Sequence, residues 1–127
     1  MDAVLQNGLE RAEDSYADAN LLLQHERYSG CINRCYYAVF YLVQSLLLSK
    51  GMLIKTHNGI IKKFSETFIR TGEFPERLIS LYRKIFEKRQ VADYNMDYHT
   101  HEDEARKVLL DAREFIDSVI GIIGESK

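Results

Sequence analysis

Apolar residues in this chain recur at spacings of three and four. Nowhere do they alternate with polar residues over the length of a strand. Five stretches carry the helical period. The first holds Leu5, Leu9, Ala12, Tyr16, Ala19 and Leu23, and the second Ile32, Cys35, Tyr36, Val39, Val43, Leu46 and Leu47. Ser29 suits the N-cap of the second helix and Gly51 its left-handed C-terminal position, with Lys50 at the negative end of the dipole. The third opens at Thr56, carries Ile60, Ile61, Phe64 and Phe68, and stops at Gly72. The fourth opens at Pro75, the only proline, at a favoured first helical position, and carries Leu78, Leu81, Tyr82 and Ile85. The fifth opens at Thr100 with Asp103 three residues on, and its stripe runs from Ala105 to Ile123. An Asn58-Gly59 pair falls at a helix start instead of between β-branched runs, so it signals no hairpin. The pattern predicts an all-α, antiparallel up-and-down bundle of four to five helices, one domain over residues 1–127.

The net charge of -2 hides an uneven distribution. Residues 50–89 hold ten Lys and Arg against four Asp and Glu, while the remainder is acidic. Lys62, Lys63, Arg70, Arg77, Arg83, Lys84 and Lys88 put this excess on the third and fourth helices, as a solvated face or as a surface for RNA or an acidic partner. Cys31 and Cys35 lie one helical turn apart, read as small core residues, and lack the paired Cys-x-x-Cys spacing of a zinc site. No metal or cofactor is expected. The first residues lack a signal-peptide pattern, and the apolar run Tyr36–Leu48 is interrupted by Gln44 and Ser45 and too short for a bilayer. The sequence therefore predicts a soluble, cytoplasmic chain.

Chemistry concentrates after the fourth helix. Its apolar stripe continues from Ile85 into Arg89, and Asp93 shares that face if the helix runs on. Residues 89–101 then hold one Arg, two Asp, two Tyr and two of the four His.

The run Asn33-Arg34-Cys35-Tyr36-Tyr37-Ala38-Val39-Phe40-Tyr41 resembles the Arg-x-Tyr-Tyr-Ala-x-Phe signature of the HEPN superfamily. Lys55-Thr56-His57-Asn58-Gly59 resembles its Lys-x-His-x-Gly element, and Arg89–Tyr94 its Arg-x-x-Ala-Asp-Tyr element. The three occur in family order and span most of the chain. The resemblance implies a HEPN-type bundle that forms a homodimer. It also implies a partner, a minimal nucleotidyltransferase, in a toxin–antitoxin or nucleotide-sensing pair.

In active members of that superfamily an Arg, followed four to six residues later by His, lines a cleft between two protomers and cleaves RNA without a metal. Arg89 matches that Arg; Tyr94 stands where the nearest His belongs, and His99 and His101 lie further on. In some toxin members a Tyr two residues after the His is adenylylated by the partner. That position is Met96 here, flanked by Tyr94 and Tyr98. RNA cleavage without a metal needs a base, an acid and a cation. Arg89 supplies the cation, Asp93 anchors it, and His99 or His101 serves only if the 94–100 loop folds back. Asn33, Arg34, Tyr37 and His57, with Lys62, Lys63, Lys84 and Lys88, are the candidate binding residues for RNA or a nucleotide. For His57, capping or packing behind Thr56 is the simpler expectation. For Arg34 it is a bridge to an acid of the first or fifth helix. Three functions stay open: a nucleotidyltransferase-paired subunit, an endoribonuclease centred on Arg89, and a structural dimer with a degenerate site.

Overall fold

The computed structural model describes residues 2–125; Met1, Ser126 and Lys127, the outermost residues of the expected domain, lie outside it. The helices are α1 (Ala3–Gln24), α2 (Tyr28–Ser49), α3 (His57–Phe64), α4 (Glu76–Tyr94) and α5 (Glu102–Glu125), with a π-helical turn, Ser65–Ile69, following α3. No strand occurs among the described residues. The fold is all-α, as the spacing predicts.

Helix α2 is the axis of the bundle. It packs against α1, α4 and α5 at once, and it buries residues around most of its circumference, from Cys31 and Ile32 to Leu46 and Leu47. Helix α1 instead buries one narrow stripe of mostly small residues, Leu5, Gly8, Ala12, Ser15, Ala19 and Leu23. Small side chains let the two backbones approach closely. A Cβ on Gly8 would lie 2.0 Å from Ser45 Oγ. Ser15 Oγ, buried in the same seam, donates to the Arg34 carbonyl at 2.8 Å.

The distal core is aromatic and apolar. Phe68 stacks on Phe74 at 5.0 Å between centroids, and Phe64 meets both of them as well as Tyr82 and Phe115. Each such fully buried side chain contributes about 1.5–3 kcal/mol by leaving water.

Helix ends follow local chemistry. Asp2 caps α1 by accepting from Leu5 N–H at 2.7 Å. Gly51 ends α2 at φ 83°, with Gly51 N–H donating to the Leu48 carbonyl and Met52 N–H to that of Leu47. Thr56 caps α3 by accepting from Gly59 N–H at 3.0 Å.

Four boundaries differ from the sequence reading. Helix α2 begins at Tyr28, one residue before the expected cap Ser29, because Cys31 N–H already bonds the Arg27 carbonyl. The expected helix from Thr56 to Gly72 is α-helical only to Phe64. It then widens into the π turn, where Arg70 N–H reaches the Ser65 carbonyl. Pro75 caps α4 instead of opening it, since its ψ of 153° is extended. Helix α5 begins at Glu102 because Glu104, not Asp103, reaches back to the His101 N–H.

Candidate functional site

Arg89 sits in the last turns of α4 on the face that meets α2, and it is only 7% exposed. A buried guanidinium needs partners, and the local sequence supplies them. Asp93, one turn on, accepts from Arg89 Nε at 3.0 Å. Arg89 Nη2 donates to the Tyr94 hydroxyl at 3.0 Å and to the Tyr37 hydroxyl at 3.3 Å. The guanidinium carbon also lies 5.0 Å from the Tyr36 ring centroid, 5.6 Å from that of Tyr37 and 5.1 Å from that of Tyr94. One cation is thus held by one carboxylate, two phenols and three ring faces.

Asp93 is held in turn by polar side chains of α2. Asn33 Nδ2 donates to the same Asp93 Oδ2 at 2.8 Å, while Asn33 Oδ1 accepts from Arg34 Nε and Nη2 at 3.1 and 3.0 Å. The amide therefore links the Arg34 guanidinium to the carboxylate that Arg89 bonds directly. Arg34 stacks over Tyr37 at 5.0 Å and makes this bond in place of the expected bridge to an acid of α1 or α5.

The start of α3 closes the other side. Tyr36 Oη and His57 Nδ1 share a hydrogen bond of 2.6 Å, and the His57 ring packs on Phe40 at 4.8 Å. Burial pushes the Tyr36 hydroxyl pKa up, partly countered by Arg89. Burial also pulls the His57 pKa below its usual range, and the Arg89 charge adds to that shift. His57 and Arg89 line one cavity of about 610 Å³, together with Thr56, Asn58, Phe86, Gln90 and Tyr94. Tyr94 is 65% exposed even though its hydroxyl is held on Arg89.

The site unites Asn33, Arg34, Tyr37, His57, Arg89, Asp93 and Tyr94. His99 lies apart from it. It is exposed and lines a different hollow, beside Tyr28, Ala92, Tyr98 and Thr100. His101 is exposed at the cap of α5, and Tyr98 Oη is bonded to Glu104. The 94–100 loop therefore brings neither histidine to Arg89. Lys62, Lys63, Lys84 and Lys88 are exposed outside the cavity, Lys63 paired with Glu66 at 3.2 Å and Lys88 with Glu104 at 3.5 Å. Tyr36, read as a core aromatic from its spacing, also links His57 to Arg89. Phe86 and Gln90 were not singled out by the sequence; their only signal is lying three residues before and one after Arg89 on α4.

Among the described residues no three His, Cys, Asp or Glu side chains gather as a metal site would require. No helix among them is long and apolar enough to cross a membrane.

This geometry defines an all-α bundle with a buried arginine at the end of one helix, opening on a cleft that also holds a histidine and a tyrosine. The sequence profile of the HEPN domain matches residues 5–123. A UPF0332 protein of Thermotoga maritima is 32% identical over 126 residues, covering 99% of this chain and 96% of the relative. Two Methanocaldococcus jannaschii proteins, each carrying the name "Putative toxin", are also similar. One is 34% identical, covering 83% of this chain and 71% of its own length, and the other 33%, covering 91% and 85%. The chain belongs to the HEPN-domain family.

Proposed function

We propose that this chain is a toxin-type HEPN subunit, working in the cytoplasm as a homodimer and paired with a minimal nucleotidyltransferase. The observation that carries this reading is Tyr94, an exposed residue whose hydroxyl is held 3.0 Å from Arg89. A nucleotidyl acceptor needs an accessible oxygen and a cation beside it to steady the α-phosphate. Attack by the Tyr94 oxygen would form the phosphorus–oxygen bond, release pyrophosphate and pass the phenolic proton to a base of the partner enzyme. Tyr98 suits the role less well, because its hydroxyl is already engaged by Glu104. The names of the two Methanocaldococcus relatives agree with a toxin-class reading. The test is incubation of the purified chain with the nucleotidyltransferase of the neighbouring gene and ATP, followed by peptide mass spectrometry. Adenylyl on Tyr94 that vanishes in Tyr94→Phe supports the pairing; absence of both complex and modification overturns it. The dimer is checked in the same preparations by analytical ultracentrifugation.

A second reading, an endoribonuclease centred on Arg89, is favoured by the cavity itself. It has room for a nucleotide, and Arg89 Nη1 carries no hydrogen bond among the described residues. Total RNA incubated in EDTA with wild type and Arg89→Ala decides it. Cleavage by wild type alone supports the reading, and equal outcomes for the two proteins sink it.

A further inference from the structure

Of the four histidines, one alone lines the Arg89 cavity, and it comes from an unexpected part of the chain. His25 is the exposed C-cap of α1, His99 faces another hollow, and His101 caps α5. His57, on the first turn of α3, lines the cavity with Arg89. The two groups share a platform. The Tyr36 ring lies 5.6 Å from the His57 ring and 5.0 Å from the Arg89 guanidinium carbon, and the Tyr37 ring lies 6.0 and 5.6 Å from the same groups.

This platform fixes which ring nitrogen is left free. His57 Nδ1 is committed to the Tyr36 hydroxyl, and Nε2 makes no hydrogen bond among the described residues. When Nδ1–H donates to the Tyr36 oxygen, the lone pair sits on Nε2, the nitrogen left for a ligand. This is the arrangement a general base needs: one ring nitrogen oriented by a partner, the other open.

We propose that His57 is the acid–base residue of the Arg89 cleft, acting on the 2′-hydroxyl of a single-stranded RNA bound with its phosphodiester on Arg89. This inference rests on the endoribonuclease reading. His57 Nε2 takes the 2′-hydroxyl proton as the 2′-oxygen forms its bond to phosphorus. Arg89 offsets the charge that accumulates on the non-bridging oxygens. The bond from phosphorus to the 5′-oxygen breaks, and the imidazolium returns the proton to that oxygen. The products are a 2′,3′-cyclic phosphate and a 5′-hydroxyl, with His57 neutral again. The base thus arrives from the start of α3, in place of the segment that follows the arginine.

The test uses a 5′-labelled single-stranded RNA oligonucleotide in EDTA with wild type, His57→Ala, His57→Gln, Arg89→Ala and, as control, His25→Ala. Wild type and the control are expected to yield cyclic-phosphate ends. Both His57 variants should fall at least about 100-fold, with added imidazole partly restoring His57→Ala. His57→Gln keeps a polar group facing Tyr36, so a loss there at unchanged melting temperature separates chemistry from folding. In wild type, NMR of the His57 ring should shift on addition of the uncleavable 2′-deoxy oligonucleotide. Cleavage by His57→Ala at the wild-type rate, or an unmoved His57 resonance, overturns the inference and leaves the endoribonuclease reading standing if Arg89→Ala is dead. Wild type and Arg89→Ala equally silent overturn both.

Discussion

Two arginines in this bundle are stacked on tyrosines and bonded to carboxylates, and they do different things. Arg113 of α5 donates to Glu13 of α1 at 2.7 and 3.2 Å and to Asp117 at 2.8 and 3.0 Å, with its guanidinium 4.8 Å from the Tyr16 ring. These bonds lift its pKa. Two acids on one cation leave a surplus of negative charge, at the protein surface. Arg89 has a single acid, two phenols and a cavity in front of it. An arginine saturated by carboxylates ties helices together. One whose charge is only matched, and whose remaining N–H groups meet neutral partners or none, is poised for an incoming anion.

The sharpest way to break this contrast is to remove each cation. Arg89→Ala should lower RNA cleavage by about 10²–10³-fold, as loss of a preorganised charge donor does. Arg113→Ala should leave cleavage unchanged and cost about 1 kcal/mol in urea unfolding, the scale of a partly exposed ion pair. Equal losses of activity from both would erase the distinction.

Asp93→Asn comes next. It keeps the shape but strips the buried guanidinium of its only carboxylate, and it should cost about 1.5–3 kcal/mol of stability by chemical denaturation. Asp117→Asn, at the exposed end of the other cluster, should cost less than about 0.5 kcal/mol, since Glu13 remains.

Raising salt separates them more gently. From 0.1 to 1 M the screening length falls from about 10 to 3 Å. Thermal melts should therefore show the stabilising effect of Arg113 over Arg113→Ala shrinking, while that of Asp93 over Asp93→Asn holds.

The smallest effect is a pH slope. The His57 pKa is lower in the fold than its ordinary 6.5. The unfolded chain therefore binds the proton more readily. Stability is full above pH 6.5 and declines as pH falls from there through the folded pKa. His57→Gln should flatten that part of the stability profile measured by urea titration.

Much of the bundle is written in local pattern. The Thr56 cap, the turn at Gly51, and the stripes of α1, α2 and α5 follow from spacing and side-chain chemistry within a few residues. The pairing of Arg89 with Asp93 is equally local, because residues four apart share a helix face. The π turn is not legible in this way, since Ser65–Ile69 reads as ordinary helix in its spacing. Nor is the link from His57 through Tyr36 to Arg89, which joins three helices across a sequence separation no periodicity records. The two histidines closest to Arg89 in sequence lie outside its cavity, and His57, on another helix, lines it.

The seam between α1 and α2 is set by an atom that is missing. Gly8 faces Ser45 with no room for a methyl group, whereas a Cβ at Gly121 would meet nothing within 4 Å. In a library of all single substitutions, position 8 should therefore be nearly empty and position 121 freely populated. Two identical letters in the sequence would behave as opposites under selection, and a designer wishing to loosen or re-angle the first hairpin has one residue at which to start.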